Sequence, residues 1–232
     1  MRLVIKMPTR SRPSKFKTLL ETCISFLSDK HEVRFVVTCD EDDKTMNNIE
    51  IREWLSHLQK TVDLVYHYGN STSKVQAVNA DLENEHGDVL LVISDDMIPV
   101  VQNYDDIIAM GYDQLFPNYD GAIKFNDGIR KDHLMTLPCL GWKLYEAFGY
   151  IYHPDYESLY CDNEQTLVCE ALNKFATCEA CIIKHQWVPG NHPIADDLHK
   201  RNESFYDQDG IIYKKRFLEK FDYDTIQKRL NS

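Results

Sequence analysis

The chain of 232 residues is 43% apolar and 11% aromatic, which allows one large domain or two fused halves and excludes a disordered or collagen-like chain. Its 26 Lys and Arg stand against 37 Asp and Glu, a formal charge of -11. That balance argues against a non-specific nucleic-acid binder, whose phosphate affinity needs clustered cations, and suits a site that gathers a divalent metal. No run reaches the ~18 apolar residues of a membrane span. Only Leu3, Val4 and Ile5 precede Lys6, too short a core for a signal peptide. The seven cysteines are an odd number and read as reduced thiols in a cytoplasmic compartment. Cys178 and Cys181 form a CxxC, but no second ligand pair follows at zinc spacing.

Residues 2–6 read as a strand, closed by a Pro/Arg/Ser loop at 8–14. Phe16, Leu19, Leu20, Cys23, Ile24 and Leu27 then fall at helical spacing, with Ser14 as the expected N-cap. A buried strand at 34–38, a helix through Ile51, Trp54, Leu55 and Leu58, and a strand at 62–67 follow. A helix at 73–85 and a strand at 88–94 complete the first hundred residues. This alternation predicts an α/β fold: a mostly parallel central sheet flanked by helices, with ligands bound beyond the carboxyl ends of the strands. The segments at 8–14, 39–43, 69–74 and 95–97 are picked out by that rule. Later come a helix at 104–115, a strand at 121–125, a turn at Asn126-Asp127-Gly128, a strand at 134–137 and a helix at 141–148 stopped by Gly149. A helix at 162–173, a strand at 180–184, a polar stretch from Val188 and a terminal helix within 211–230 end the chain.

The strongest local signal is Ser94-Asp95-Asp96 after the apolar run Val89-Leu90-Leu91-Val92-Ile93. Adjacent carboxylates with no cation beside them in sequence repel, so a dication is one way to hold them together; an exposed turn is the other. Side chains turned away from any cleft, or an ion pair to a nearby Arg or Lys, would remove this argument and the electrostatic ground on which the functional reading hangs. His185, at the end of Ile182-Ile183-Lys184, could complete a metal shell or be a half-buried core histidine. Asp162 and Glu164 open the helix at 162–173. Each could take a proton from an alcohol, or serve only as cap and first-turn acid. Asp40 heads an acidic run, placed to accept hydrogen bonds from a nucleobase or ribose. No GxxxxGK[ST], GxGxxG or GxSxG is present, which argues against P-loop, dinucleotide and hydrolase-elbow chemistry.

In order, these pieces resemble a GT-A-fold glycosyltransferase of the inverting family 2 type. The resemblance rests on Lys6-Met7-Pro8-Thr9-Arg10, Val36-Val37-Thr38-Cys39-Asp40, Lys74-Val75-Gln76-Ala77-Val78-Asn79 and Ile93-Ser94-Asp95-Asp96. It continues with Gly149-Tyr150-Ile151-Tyr152-His153-Pro154, Asp162-Asn163-Glu164 and His185. It departs at Asn79, which Ala80 follows where a glycine is common, and in a DxD-type motif that is Ser-Asp-Asp. The resemblance implies a GT-A (nucleotide-diphospho-sugar transferase) fold and metal-dependent transfer of a sugar to an acceptor hydroxyl. Residues 1–100 would form the nucleotide-sugar-binding half and 101–190 the acceptor-binding and catalytic half of the same domain, with 191–232 a C-terminal lid and helix. Pro8, Thr9, Arg10, Asp40, Lys74, Asn79 and Asp95 would bind the nucleotide sugar. Asp96 and His185 would hold Mn2+ or Mg2+, and Asp162 would be the base with Glu164 its rival. The implied partners are a nucleotide-diphosphate sugar donor and a glycan, protein or small-molecule acceptor, with no nucleic acid and no membrane span. A non-catalytic sugar-nucleotide or glycan-binding module, or a sugar nucleotidyltransferase, is the alternative.

Overall fold

The computed structural model of the chain describes residues 1–129, 132–186 and 197–232. Strand β1 (Arg2–Thr9) lies inside the sheet and pairs in parallel with β2 (Glu32–Asp40) and with a later strand at Val89–Val92. The edge beyond β2 is β3 (Leu64–Gly69), and the strand at Val89–Val92 is β4. A short β5 (Met97–Pro99) leaves this sheet. Beyond β4 lie β6 (Ala122–Phe125), β7 (Cys139–Gly141) and β8 (Phe175–Cys178), giving the order β3-β2-β1-β4-β7-β6-β8. Strand β7 alone runs antiparallel to its neighbours. Strand β9 (Ile183–His185) pairs antiparallel with β5 in a second, two-stranded sheet.

Side-chain alternation along the strands builds two cores. Leu3, Ile5 and Met7 face one side, where α1 (Pro13–Ser25) packs Phe16, Leu19, Leu20 and Cys23, and α4 (Tyr104–Leu115) packs Tyr104, Ile108 and Tyr112. Helix α2 (Ile49–Leu58) adds Ile51 and Leu55. Val4, Val36, Leu90 and Val92 face the other side, against Val75 and Val78 of α3 (Lys74–Asn79). A third cluster joins α5 (Trp142–Phe148) and α6 (Cys161–Ala171) to the C-terminal helix α9 (Tyr223–Leu230). Helices α7 (Asp197–Glu203) and α8 (Tyr206–Leu218) run between the cleft and that cluster. No helix among the described residues is long and apolar enough to cross a membrane, and all seven cysteines are free.

Several elements differ from the sequence reading for identifiable reasons. Pro13 opens α1, so Arg12 is its N-cap and Ser14 lies inside the helix. Helix α3 stops at Asn79 rather than 85. The Asn79 side chain accepts from Ile151 N (2.9 Å) and Tyr152 N (3.1 Å) and donates to Tyr152 O (2.6 Å), and Ala80 turns extended. The strand expected at 134–137 lies later, at β7. Its polar groups go to side chains instead: Met135 N donates to Thr166 Oγ1 (3.1 Å) and Thr136 Oγ1 to Asp127 Oδ2 (2.7 Å). The single terminal helix is two, broken where Lys220, Phe221 and Asp222 take positive φ of 62°, 49° and 57°. Of the expected lid, residues 191–196 lie outside the described residues; α7 and the start of α8 make up the rest of it.

Candidate active site

The carboxyl ends of β1 and β2 stop side by side, with Thr9 opposite Cys39. The Arg10 guanidinium reaches across, donating to Asp40 Oδ2 (2.7 Å) and to both carboxylate oxygens of Asp42 (2.6 and 2.8 Å). Asp40 is 5% exposed, and its Oδ1 has no hydrogen-bond partner among the described residues. Burial pushes its carboxyl up, against the opposing pull of Arg10. A desolvated acceptor with an open lone pair in a cleft wall is set to receive an N–H or O–H from a ligand.

Strand β4 delivers Ser94-Asp95-Asp96 to the same edge, and here the electrostatic argument from sequence needs correction. Arg12, from the loop before α1, donates to Asp95 Oδ1 (2.6 Å) and lies 4.0 Å from Asp96 Oδ2, so the two aspartates do have a nearby cation. Their mutual repulsion therefore does not by itself require a metal. Burial outweighs Arg12 and raises the Asp95 carboxyl to about 6. The pairing of β5 with β9 sets Met97 opposite His185, which brings His185 Nε2 to 3.3 Å from Asp96 Oδ2. Burial would raise the Asp96 carboxyl, but His185 and the Ser94 hydroxyl bonded to Oδ1 overcome it and hold the group well below the usual range. Among the described residues no group of three or more His, Cys, Asp or Glu converges as a metal cage. The Asp96–His185 pair still suits Mg2+ or Mn2+, which bind one or two protein ligands and fill their remaining positions with substrate phosphate oxygens and water.

Across the cleft, Ser73 caps α3 by accepting from Gln76 N (3.2 Å), which places Lys74 at the first turn with its ammonium 5.8 Å from the Tyr152 ring centroid. Asp162 sits in the first turn of α6, one residue inside rather than at the cap, which is Tyr160 in a left-handed conformation (φ 61°). One cleft of about 460 Å³ is lined by Pro8, Thr9, Arg10, Asp40, Lys74, Asp95, Asp96, Asp162 and His185. Two predicted site residues are not in that lining. Asn79 is spent on the Ile151–Tyr152 backbone. Glu164, 2% exposed, forms a two-pronged pair with Arg216 of α8 (2.8 and 2.7 Å) and accepts from Tyr156 Oη (2.8 Å). The lining also holds Arg12, Tyr152, Ser158 and Arg201, to which the sequence reading gave no individual role. Arg201, on α7, donates to Thr72 O (2.6 Å). A separate hollow of about 400 Å³ beside Lys124 and Thr177 gathers none of the predicted residues.

No protein-family model and no curated protein matches the sequence. Solved structures do match. The mannosyltransferase PcManGT from Pyrobaculum calidifontis, solved in complex with GDP-Man and Mn2+, aligns with a TM-score of 0.62 at 17% identity, over 83% of this chain and 57% of that one. TarS from S. aureus aligns with a TM-score of 0.60 at 13% identity, over 91% of this chain and 45% of that one. This chain has a glycosyltransferase fold. TarS 1-349 in complex with UDP-GlcNAc aligns with a TM-score of 0.61 at 12% identity, over 87% and 64% of the two chains. The chain thus spans about half the length of the first two neighbours, and at these identities the likeness is one of backbone. The GT-A resemblance read from the motifs holds at that level, with the glycosyltransferase sheet carrying its loops to one cleft.

Proposed function

We propose that this chain is a glycosyltransferase that moves a sugar from a nucleotide-diphosphate donor to an acceptor hydroxyl, with inversion at the anomeric carbon. The observation that carries this reading is the convergence on one cleft of the open Asp40 acceptor, the Asp96–His185 pair and Asp162. In this reading Asp40, with Pro8, Thr9 and Arg10, takes the nucleobase and ribose. Asp95, held by Arg12, contacts ribose or bound water, and Lys74 faces the donor. Asp96 and His185 would hold Mn2+ or Mg2+, which when bound supplies Lewis-acid stabilisation to the departing diphosphate. The ligands of the neighbours, GDP-Man with Mn2+ and UDP-GlcNAc, support the same donor class.

An alcohol is too weak an acid to attack unaided. Asp162 therefore takes the acceptor's proton as its oxygen bonds to the anomeric carbon, while the bond to the nucleoside diphosphate breaks on the opposite face. One displacement inverts the centre. Residues 1–100 serve the donor, 101–190 the acceptor, and α7 covers part of the cleft mouth. Asn79 acts on the backbone of Ile151 and Tyr152, not on the nucleotide. Seven free thiols suit a reducing, cytoplasmic setting.

The test is release of free nucleotide from a panel of nucleotide sugars with Mn2+, with and without saccharide, peptide and small alcohol acceptors. Release that is lost in Asp96→Ala is the expected result. Metal-dependent binding of nucleotide sugars with no release under any of these conditions would make the protein a binding module instead.

A further inference from the structure

Ser158 lies in the cleft wall, four residues before Asp162. Its side chain is 1% exposed, and its Oγ has no hydrogen-bond partner among the described residues. The backbone that carries it is fixed from three sides. Asp209, fully buried on α8, accepts from Glu157 N (3.0 Å), Ser158 N (2.8 Å) and Leu159 N (2.7 Å). Glu157 O accepts from Val75 N at the start of α3 (3.1 Å), and Ser158 O accepts from Cys161 Sγ (3.5 Å). These bonds hold the segment in place, and no partner for the hydroxyl lies among the described residues.

A buried hydroxyl left unbonded destabilises a fold, and interiors seldom tolerate one without a purpose. The residue that carries this atom lines the same cleft as Lys74 and Asp162, with the hydroxyl itself covered. Resting on the glycosyltransferase reading above, we propose that Ser158 Oγ is the hydrogen-bond partner of one substrate hydroxyl. A serine hydroxyl donates and accepts, so it matches a sugar hydroxyl in either sense. A site built around such a bond rejects the analogue lacking that hydroxyl, because its own polar group would then stay buried and unpaired. The hydroxyl belongs either to the transferred sugar or to the acceptor, and kinetics separate the two.

The experiment compares wild type with Ser158→Ala, using the nucleotide sugar that the panel identifies. One arm follows donor hydrolysis without acceptor; the other follows transfer to a saccharide acceptor. If the partner is on the donor, Ser158→Ala lowers kcat/KM by ~10–100-fold in both arms, as leaving the substrate hydroxyl unpaired does. If it is on the acceptor, only transfer falls. In each case a substrate analogue lacking one hydroxyl reproduces the loss in wild type, and the same deletion costs Ser158→Ala nothing further. The thermal midpoint of the variant is expected to be no lower than wild type, since the substitution removes an unsatisfied group. Unchanged kinetics in both arms would overturn the assignment and leave the glycosyltransferase reading standing, as would a lowered midpoint without a kinetic change. Absence of donor binding and hydrolysis by wild type itself would instead overturn that reading, and this inference with it.

Discussion

Glu164→Gln separates a structural acid from a catalytic one. The Glu164 carboxylate and the Arg216 guanidinium are 2% and 6% exposed and meet through two hydrogen bonds of 2.8 and 2.7 Å, with Tyr156 Oη donating to the same carboxylate. Breaking a buried pair by removing one charge costs ~3–5 kcal/mol, because the other charge is left uncompensated. Arg216 keeps Asp222 at 2.9 Å and Asp155 at 3.8 Å, and glutamine keeps one acceptor oxygen. The expected loss is therefore at or below the low end of that range, ~2–3 kcal/mol. For a domain of this size that lowers the thermal midpoint by ~5–10 °C. Urea unfolding gives the free energy, and sugar transfer is assayed well below the midpoint, where the folded fraction is unaffected. Turnover within about twofold of wild type is expected there, the size of change a remote packing effect gives and far below the loss of a general base. A variant as stable as wild type but inactive would refute the assignment and return Glu164 to the role of base.

The complementary variant, Asp162→Asn, should leave the unfolding curve nearly unchanged while transfer falls by ~10²-fold or more, with nucleoside diphosphate affinity retained. Loss of affinity instead would place Asp162 on the donor. Asp96→Asn should remove the Mn2+-dependent part of nucleoside diphosphate binding in calorimetry with and without the metal; equal enhancement by Mn2+ in both proteins would take Asp96 out of the metal shell. Lys6, fully buried on β1, has its ammonium lowered by burial to about 8 against the pull of Asp81. The folded chain releases this proton before the unfolded chain does, so from about pH 8 to the usual 10.5 wild type gains stability relative to Lys6→Met, by ~3 kcal/mol. A thiol such as Cys139, pushed up to about 12 by burial, opposes this in both proteins and drops out of the difference between their urea-unfolding energies. A difference that stays flat across that range would show that the amine keeps its ordinary proton affinity in the fold.

The parallel half of the sheet was legible because burial there is written in contiguous residues. Val89 to Val92 is an apolar run buried on both faces, and the Phe16, Leu19, Leu20, Cys23 spacing marks the one face of α1 that packs. What escaped was set by partners far along the chain. Arg12 finds Asp95, Asn79 finds Ile151 and Tyr152, and Glu164 finds Arg216, none of which a local window contains. The short strand β5 escaped for a related reason: Met97–Pro99 is too brief to show a period, and it exists because β9 pairs with it. That same pairing is what carries His185 to Asp96, so the pair was visible as two strand ends but not as a contact.

Asp162 and Glu164 show how far spacing alone could have gone. Two residues apart on a helix, they are separated by about 200° around its axis and so point to nearly opposite faces. Only one of them can look into a cleft on one side of α6, whatever the fold. Which one is decided 52 residues downstream, where Arg216 enters from α8 and takes Glu164 into the interior. With that face filled, the other face of α6 is left to the cleft, and Asp162 is the acid on it. The tertiary ion pair that removes one candidate base therefore also aims the other.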